Sequence, residues 1–142
     1  MKPFREYKVW QLAHELTLSV YEVSAGFPRS EVYGLSQQMR RSSASVPTNI
    51  AEGSARSDAE FQHFLRIALG SATELEYQFI LSKDLGYITE ETYSGLDARV
   101  GSVKRMLVTF IQRAAGAGVA GASPRTRPTA NGQRPTAPKA TT

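Results

Sequence analysis

Three groups of residues have types and spacings that could support chemistry. Glu60-x-x-His63 has the spacing by which di-iron helical bundles present a carboxylate and an imidazole to one metal. Such sites also need a second Glu-x-x-His and two further inward glutamates. The other histidine, His14, lies between Ala13 and Glu15, outside such a motif, and Glu60 has a competing role described below. His14, Ser42, Ser43, Ser45 and Glu52 include the residue types of a nucleophile and a base, but no nucleophile-elbow or triad-like signature accompanies them. Gly116-Ala117-Gly118-Val119-Ala120-Gly121 matches G-x-G-x-x-G by letter, yet a dinucleotide site needs a strand before it and a helix after it. Here a helical pattern precedes and a Pro-rich stretch follows. With no cysteine in the chain, thiolate metal sites and cysteine nucleophiles are absent. No catalytic residue, metal or cofactor is expected, and the chain reads as a binding protein, not an enzyme.

The remaining constellation is polar: Gln37, Gln38, Arg40, Arg41, Asn49, Glu52 and Arg56, then Arg66, Glu74 and Glu76. On one reading Arg40, Arg41, Arg56 and Arg66 form a cationic strip that meets phosphates through the planar guanidinium fork. On the other they pair with Glu52, Glu74 and Glu76 within or between bundles, where exposed pairs contribute little stability.

These residues must be positioned by helices, because an apolar stripe of heptad-like spacing recurs in four segments, each with a stop signal. Val9, Leu12, Leu16, Val20 and Val23 line the first, closed by Gly26 and Pro28. The second is predicted from about Val32 to Arg56 on a thinner stripe of Leu35, Met39, Val46 and Ile50, diluted by small residues. Pro47 removes a helical hydrogen bond there and its ring opposes the Ser43 carbonyl, which predicts a kink or break. The third opens on Ser57-Asp58-Ala59-Glu60, a capping box, and continues through Phe61, Leu65, Ala68, Ala72, Leu75 and Phe79 to a stop at Gly86. Thr89 caps the fourth, whose stripe is Tyr93, Leu96, Val100, Val103, Leu107 and Phe110. Short connections force successive helices to run antiparallel, so the fold class is all-α, an up-down-up-down four-helix bundle.

The bundle is expected over 4–113. From 114 to 142 Ala, Gly, Pro, Ser and Thr dominate, no aromatic occurs, and Val119 is the only large aliphatic. Such a composition does not offset backbone entropy, so a disordered tail is expected. Arg125, Arg127, Arg134 and Lys139, without any acid, account for the whole formal net charge of +4. The bundle is therefore neutral, and the tail is either a weak polyanion-attracting arm or a solubilising extension. No apolar run approaches the ~18 residues of a membrane span, and MKPFREYKVW lacks a signal peptide's apolar stretch. No membrane and a cytoplasmic setting are expected.

At the second and third helices the sequence stops being generic. FPRSEVYGLSQQMRRSSASVPTNIAEGSAR from Phe27, followed by FQHFLRIALGSATELEYQFILSKDLGYI, resembles the bacterial four-helix-bundle family first known from intervening sequences in 23S ribosomal RNA genes. VWQLAHELTLSVY in the first helix fits the same pattern, and the match covers roughly Phe4 to Arg113. The resemblance implies a bundle that assembles with itself into a homopentameric ring. The chain is also similar to the accessory protein of diversity-generating retroelements, a bundle that binds nucleic acid and a reverse transcriptase through a basic surface. Carried over, Arg40, Arg41 and Arg56 are the basic candidates, while Asn49, Glu52, Gly53, Gly70, Ser71, Glu74 and Glu76 fit the signature as structural or interfacial residues. Independently, Trp10, Tyr21, Phe64, Ile67 and Leu81 fall off the main stripes. They either leave apolar surface for a partner or are buried by wide stripes. The expected function is a homo-oligomeric scaffold, pentameric by resemblance, that binds RNA or a ribonucleoprotein partner through the arginine strip. The alternative is a protein-interaction scaffold with no nucleic-acid role. No small-molecule substrate is expected.

Overall fold

A computed structural model describes residues 2–119. A 3-10 turn, Phe4–Glu6, leads into α1 (Lys8–Ser24), and a second 3-10 turn, Arg29–Glu31, precedes α2 (Leu35–Ser54). α3 (Asp58–Asp84) and α4 (Glu90–Val119) complete the chain's described part. α1 packs on α2 and α4, and α3 packs on α2 and α4. The four helices therefore stand at the corners of a square, with α1 diagonal to α3, in the antiparallel bundle expected from the apolar stripes.

Those stripes form the core: Leu16 and Val20 of α1, Met39, Val46 and Ile50 of α2, Leu65, Leu75 and Phe79 of α3, and Val100, Val103 and Leu107 of α4 are essentially buried. Of the off-stripe apolar residues, Trp10 and Leu81 pack against this core, whereas Tyr21 and Ile67 are exposed. Wide stripes thus absorb part of the surplus and leave part on the surface.

The expected ends of α3 are present. Glu60 N–H donates to Ser57 Oγ (3.4 Å) and Ser57 N–H to Glu60 Oε2 (3.3 Å), completing the capping box. Gly86, at φ 78, takes the left-handed conformation that ends the helix. At the start of α4, Thr92 N–H donates to Thr89 Oγ1 at 3.1 Å.

Three expectations differ from the structure. α2 begins at Leu35, not Val32, because the Glu31 carboxylate accepts from Leu35 N–H (2.8 Å) and so caps the helix from outside. Val32 and Tyr33 are left in the preceding turn, Tyr33 being 90% exposed. α4 continues past Arg113 to Val119, since Ala114, Ala115 and Ala117 are strong helix formers. Gly116 to Val119 therefore belong to a helix, and the tail expectations for 120–142 lie outside the described residues. Most informative is α2, which runs unbroken through a buried Pro47. Proline leaves the Ser43 carbonyl without its helical donor, and Thr17 Oγ1 of α1 supplies a replacement at 2.9 Å, a distance similar to its 3.0 Å approach to Ala13 O. The one hydroxyl proton is shared between the two carbonyls, so part of the bond that the helix lost is made between helices.

Glu31 also ties this end of the bundle to the α3 to α4 connection. Tyr87, between α3 and α4, donates its hydroxyl to Glu31 Oε1 at 3.3 Å and packs against Phe27 with ring centroids 5.3 Å apart. Burial, followed by the Glu31 charge and the hydrogen bond to it, raises the Tyr87 pKa above 10.0. The unfolded chain then loses this proton first as pH climbs, so the contribution is complete below pH 10 and disappears as pH rises through the folded-state pKa. The expected result in urea unfolding is a stability decline above that pH which is shallower in Tyr87→Phe than in the parent; equal slopes would exclude this linkage.

Candidate nucleic-acid interface

The four sequence-predicted arginines do not form one row. Arg40 and Arg41 are consecutive on α2, and a turn of about 100° per residue sends them to different flanks of the helix. Arg40 faces the end of α1. Its Nε donates to Ser24 Oγ (2.9 Å), a terminal nitrogen donates to Tyr21 O (3.3 Å), and the guanidinium lies 4.8 Å from the Tyr21 ring centroid. A cation among the last carbonyls of α1 satisfies orphan acceptors and complements the helix dipole. Arg56 pairs with Glu52 at 3.2 Å one turn earlier and lies 5.2 Å from the Phe64 ring centroid. Both arginines are thus engaged within the chain.

Arg41 and Arg66 are exposed, and among the described residues neither guanidinium has an ion-pair partner. Arg41 lines a polar groove of about 470 Å3 between α2 and α3, together with Gln38, Ser42, Ser45, Ser71 and Glu74. The serines there let the helices approach and also build a hydrogen-bond chain. Asn49 Nδ2 donates to Ser45 O (2.7 Å) and Ser45 Oγ (3.0 Å), and the Ser45 and Ser71 hydroxyls meet at 2.8 Å. Ser45 Oγ thus joins Asn49 to Ser71, and either hydroxyl can be the donor between the two serines. On the α3 wall, Glu74 Oε1 accepts from Gln78 Nε2 at 3.4 Å. Gln78 is only 3% exposed and its Oε1 has no partner among the described residues.

The remaining signature residues divide between internal and external roles. Glu76 pairs with Lys104 of α4 at 3.1 Å. A Cβ on Gly53 would lie 2.6 Å from Phe64 Cβ and 2.9 Å from Phe61 Cδ2, so glycine there sets the α2 to α3 distance. A Cβ on Gly70 would meet nothing within 4 Å. Nothing inside the chain requires that glycine.

The residues considered for catalysis are engaged elsewhere. Ser42 and Ser43 donate to Gln38 O and Arg40 O of their own helix, and His14 stacks on Trp10 with ring centroids 5.2 Å apart and planes 8° apart. No group of three His, Asp or Glu side chains capable of holding a metal occurs among the described residues. No helix among them is long and apolar enough to cross a membrane.

The model of the 23S rRNA-intervening sequence protein family matches residues 5–109. The chain belongs to that family. Among solved structures, it is similar to the crystal structure of a protein of unknown function from the S23 ribosomal protein family of Bacteroides thetaiotaomicron. The TM-score is 0.67 at 28% identity, covering 73% of this chain and 98% of that one. A search of curated proteins gives no match. The match to the 23S rRNA-intervening sequence protein family ends near the fourth-helix stripe's last residues, so the rest of α4 and the tail fall outside it.

Within the bundle, sequence reasoning sought cations on α2 and α3. It missed Lys2 and Lys8 at the start of the chain and Arg105 and Arg113 on α4, which the structure gathers along one α1 to α4 edge. The signal was available in the topology: in an up-down-up-down bundle, the start of α1 lies beside the end of α4.

Proposed function

We propose that this family member is a non-catalytic, self-assembling helical scaffold of the cytoplasm that binds RNA or a ribonucleoprotein partner through its α2 to α3 face. The observation carrying the RNA reading is that Arg41 and Arg66 have no ion-pair partner among the described residues while Arg40 and Arg56 are engaged. The strip is thereby reduced to two available guanidiniums, Arg41 in the groove with Gln38 and the serine hydroxyls, groups that contact phosphate and sugar, and Arg66 outside the groove lining on α3. Self-assembly, as the five-membered ring that the resemblance implies, is supported by the outer face of α3. Ile67 and Tyr77 are 40% and 60% exposed there, around Gly70.

Gel-shift titration with a structured RNA at two salt concentrations tests the arginine assignment. Arg41→Ala and Arg66→Ala are each expected to weaken binding and to reduce the salt slope by about one. Arg40→Ala is expected to act mainly on stability. No binding at low salt, or binding unchanged by both exposed-arginine variants, rejects the assignment. A second reading, a protein-interaction scaffold without nucleic acid, is favoured by Glu74 on the wall facing Arg41. Such mixed charge suits a protein surface. Partner retention that survives both arginine variants without any nucleic-acid retention would favour it.

A further inference from the structure

On the α1 to α4 edge, the side of the bundle opposite the α2 to α3 groove, lies an open cavity of about 420 Å3. That volume falls within the ~300–1,000 Å3 range of small-ligand pockets. Lys2 and Lys8 approach it from one side and Arg105 and Arg113 from the other, and no acidic residue lines it. All four cations are exposed, and none has an ion-pair partner among the described residues. Like charges converging without counter-charge repel, and the site lowers its free energy by taking up an anion. Asp58 lies in an adjoining cavity that shares Tyr7, Phe110 and Arg113 with this one.

The floor has a different character from the rim. Tyr7 and Phe110, both half-buried, line it with ring centroids 5.3 Å apart and planes at 82°. Each also packs on Phe61, at 5.9 and 5.3 Å respectively. The three rings hold one another, so the two at the cavity are fixed in place instead of being free to turn away. Fixed aromatic rings within a cationic rim are the combination that holds a flexible nucleic-acid strand, stacking its bases and tracking its backbone charge. A simple anion makes no use of the rings, and an acyl chain is poorly served by a rim of four charges.

We infer that the cavity between the start of α1 and the end of α4 holds a nucleotide of a single-stranded RNA. Its base lies against Phe110 and Tyr7, displacing the Lys2 ammonium that lies 5.5 Å from the Tyr7 ring centroid, and its flanking phosphates meet Lys2, Lys8, Arg105 and Arg113. This site is separate from the α2 to α3 arginines and does not depend on their assignment.

Fluorescence anisotropy of a labelled oligouridylate, titrated with the full chain at two salt concentrations, tests it. Lys8→Glu with Arg113→Glu, both at exposed positions, is expected to raise Kd about tenfold or more and to flatten the salt dependence. Phe110→Leu is expected to raise Kd about fivefold or more through lost stacking, with the salt slope unchanged. Circular dichroism confirms the fold of each variant; should Phe110→Leu unfold, Tyr7→Leu replaces it with the same expectation. Arg29→Ala, at an exposed cation in the turn before α2 and at the other end of the bundle, leaves this Kd within about twofold, which ties the loss to the cavity and not to net charge. The inference is overturned if charge reversal leaves Kd unchanged, or if the folded aromatic variant binds as the parent does. It is also overturned if oligoglutamate or phosphatidylserine vesicles displace the oligonucleotide as effectively as unlabelled oligouridylate.

Discussion

Thr17→Val should destabilise the protein by about 1–3 kcal/mol, and most of that loss should vanish when Pro47 is also replaced by alanine. The substitution keeps the side-chain shape but removes a side-chain donor to Ser43 O, a hydroxyl 2.9 Å away across the α1 to α2 contact. With proline at 47 the α2 backbone offers that carbonyl no helical N–H. In the Pro47→Ala background it does, and the threonine hydroxyl becomes dispensable. Urea unfolding of the parent, both single variants and the double variant gives the coupling directly. Pro47→Ala alone can move either way, because it regains a helical bond but loosens the unfolded chain and removes buried ring atoms. The coupling term is free of that ambiguity. An equal cost of Thr17→Val in both backgrounds would show that the hydroxyl does not replace the missing amide.

The same pair of residues shows where sequence reading succeeded and where it stopped. The local consequence of Pro47, a carbonyl without its donor, follows from covalent structure. The predicted break does not occur, because the remedy comes from a residue 26 positions away on another helix. The apolar stripes, the Ser57 capping box and the Gly86 stop were legible because each is specified within a few residues. The start of α2 was not, since Glu31 caps it from outside the apolar period. For the arginines, residue type was visible but direction was not. Arg40 and Arg41 look equivalent in sequence, yet one bonds the end of α1 and the other lines the groove toward α3. The cations of the α1 to α4 edge were harder still, being brought together only by the closure of the bundle.

Gly53 and Gly70 are equally inconspicuous in sequence, and their alanine variants are expected to behave oppositely. At Gly53 the added carbon would sit 2.6 Å from Phe64 Cβ, an atom carried by the α3 backbone that cannot swing aside as a side-chain end can. α2 and α3 must part, disturbing Ser45 and Ser71 at 2.8 Å as well as the Phe61 contact. Overpacking of this kind costs about 1–3 kcal/mol, against a gain in helix propensity of up to about 1 kcal/mol. Gly53→Ala should therefore lower stability in urea unfolding, and a gain would show that the contact relaxes freely. At Gly70 the same carbon enters open space, so within one chain only the propensity gain of up to about 1 kcal/mol remains. If copies of the chain approach one another across the outer face of α3, that carbon instead enters their contact. Gly70→Ala should then reduce the mass measured by light scattering while the dissociated chain unfolds at higher urea than the parent. An unchanged mass together with the gain in stability would remove Gly70 from the assembly surface and leave it as an unexploited weakness of α3.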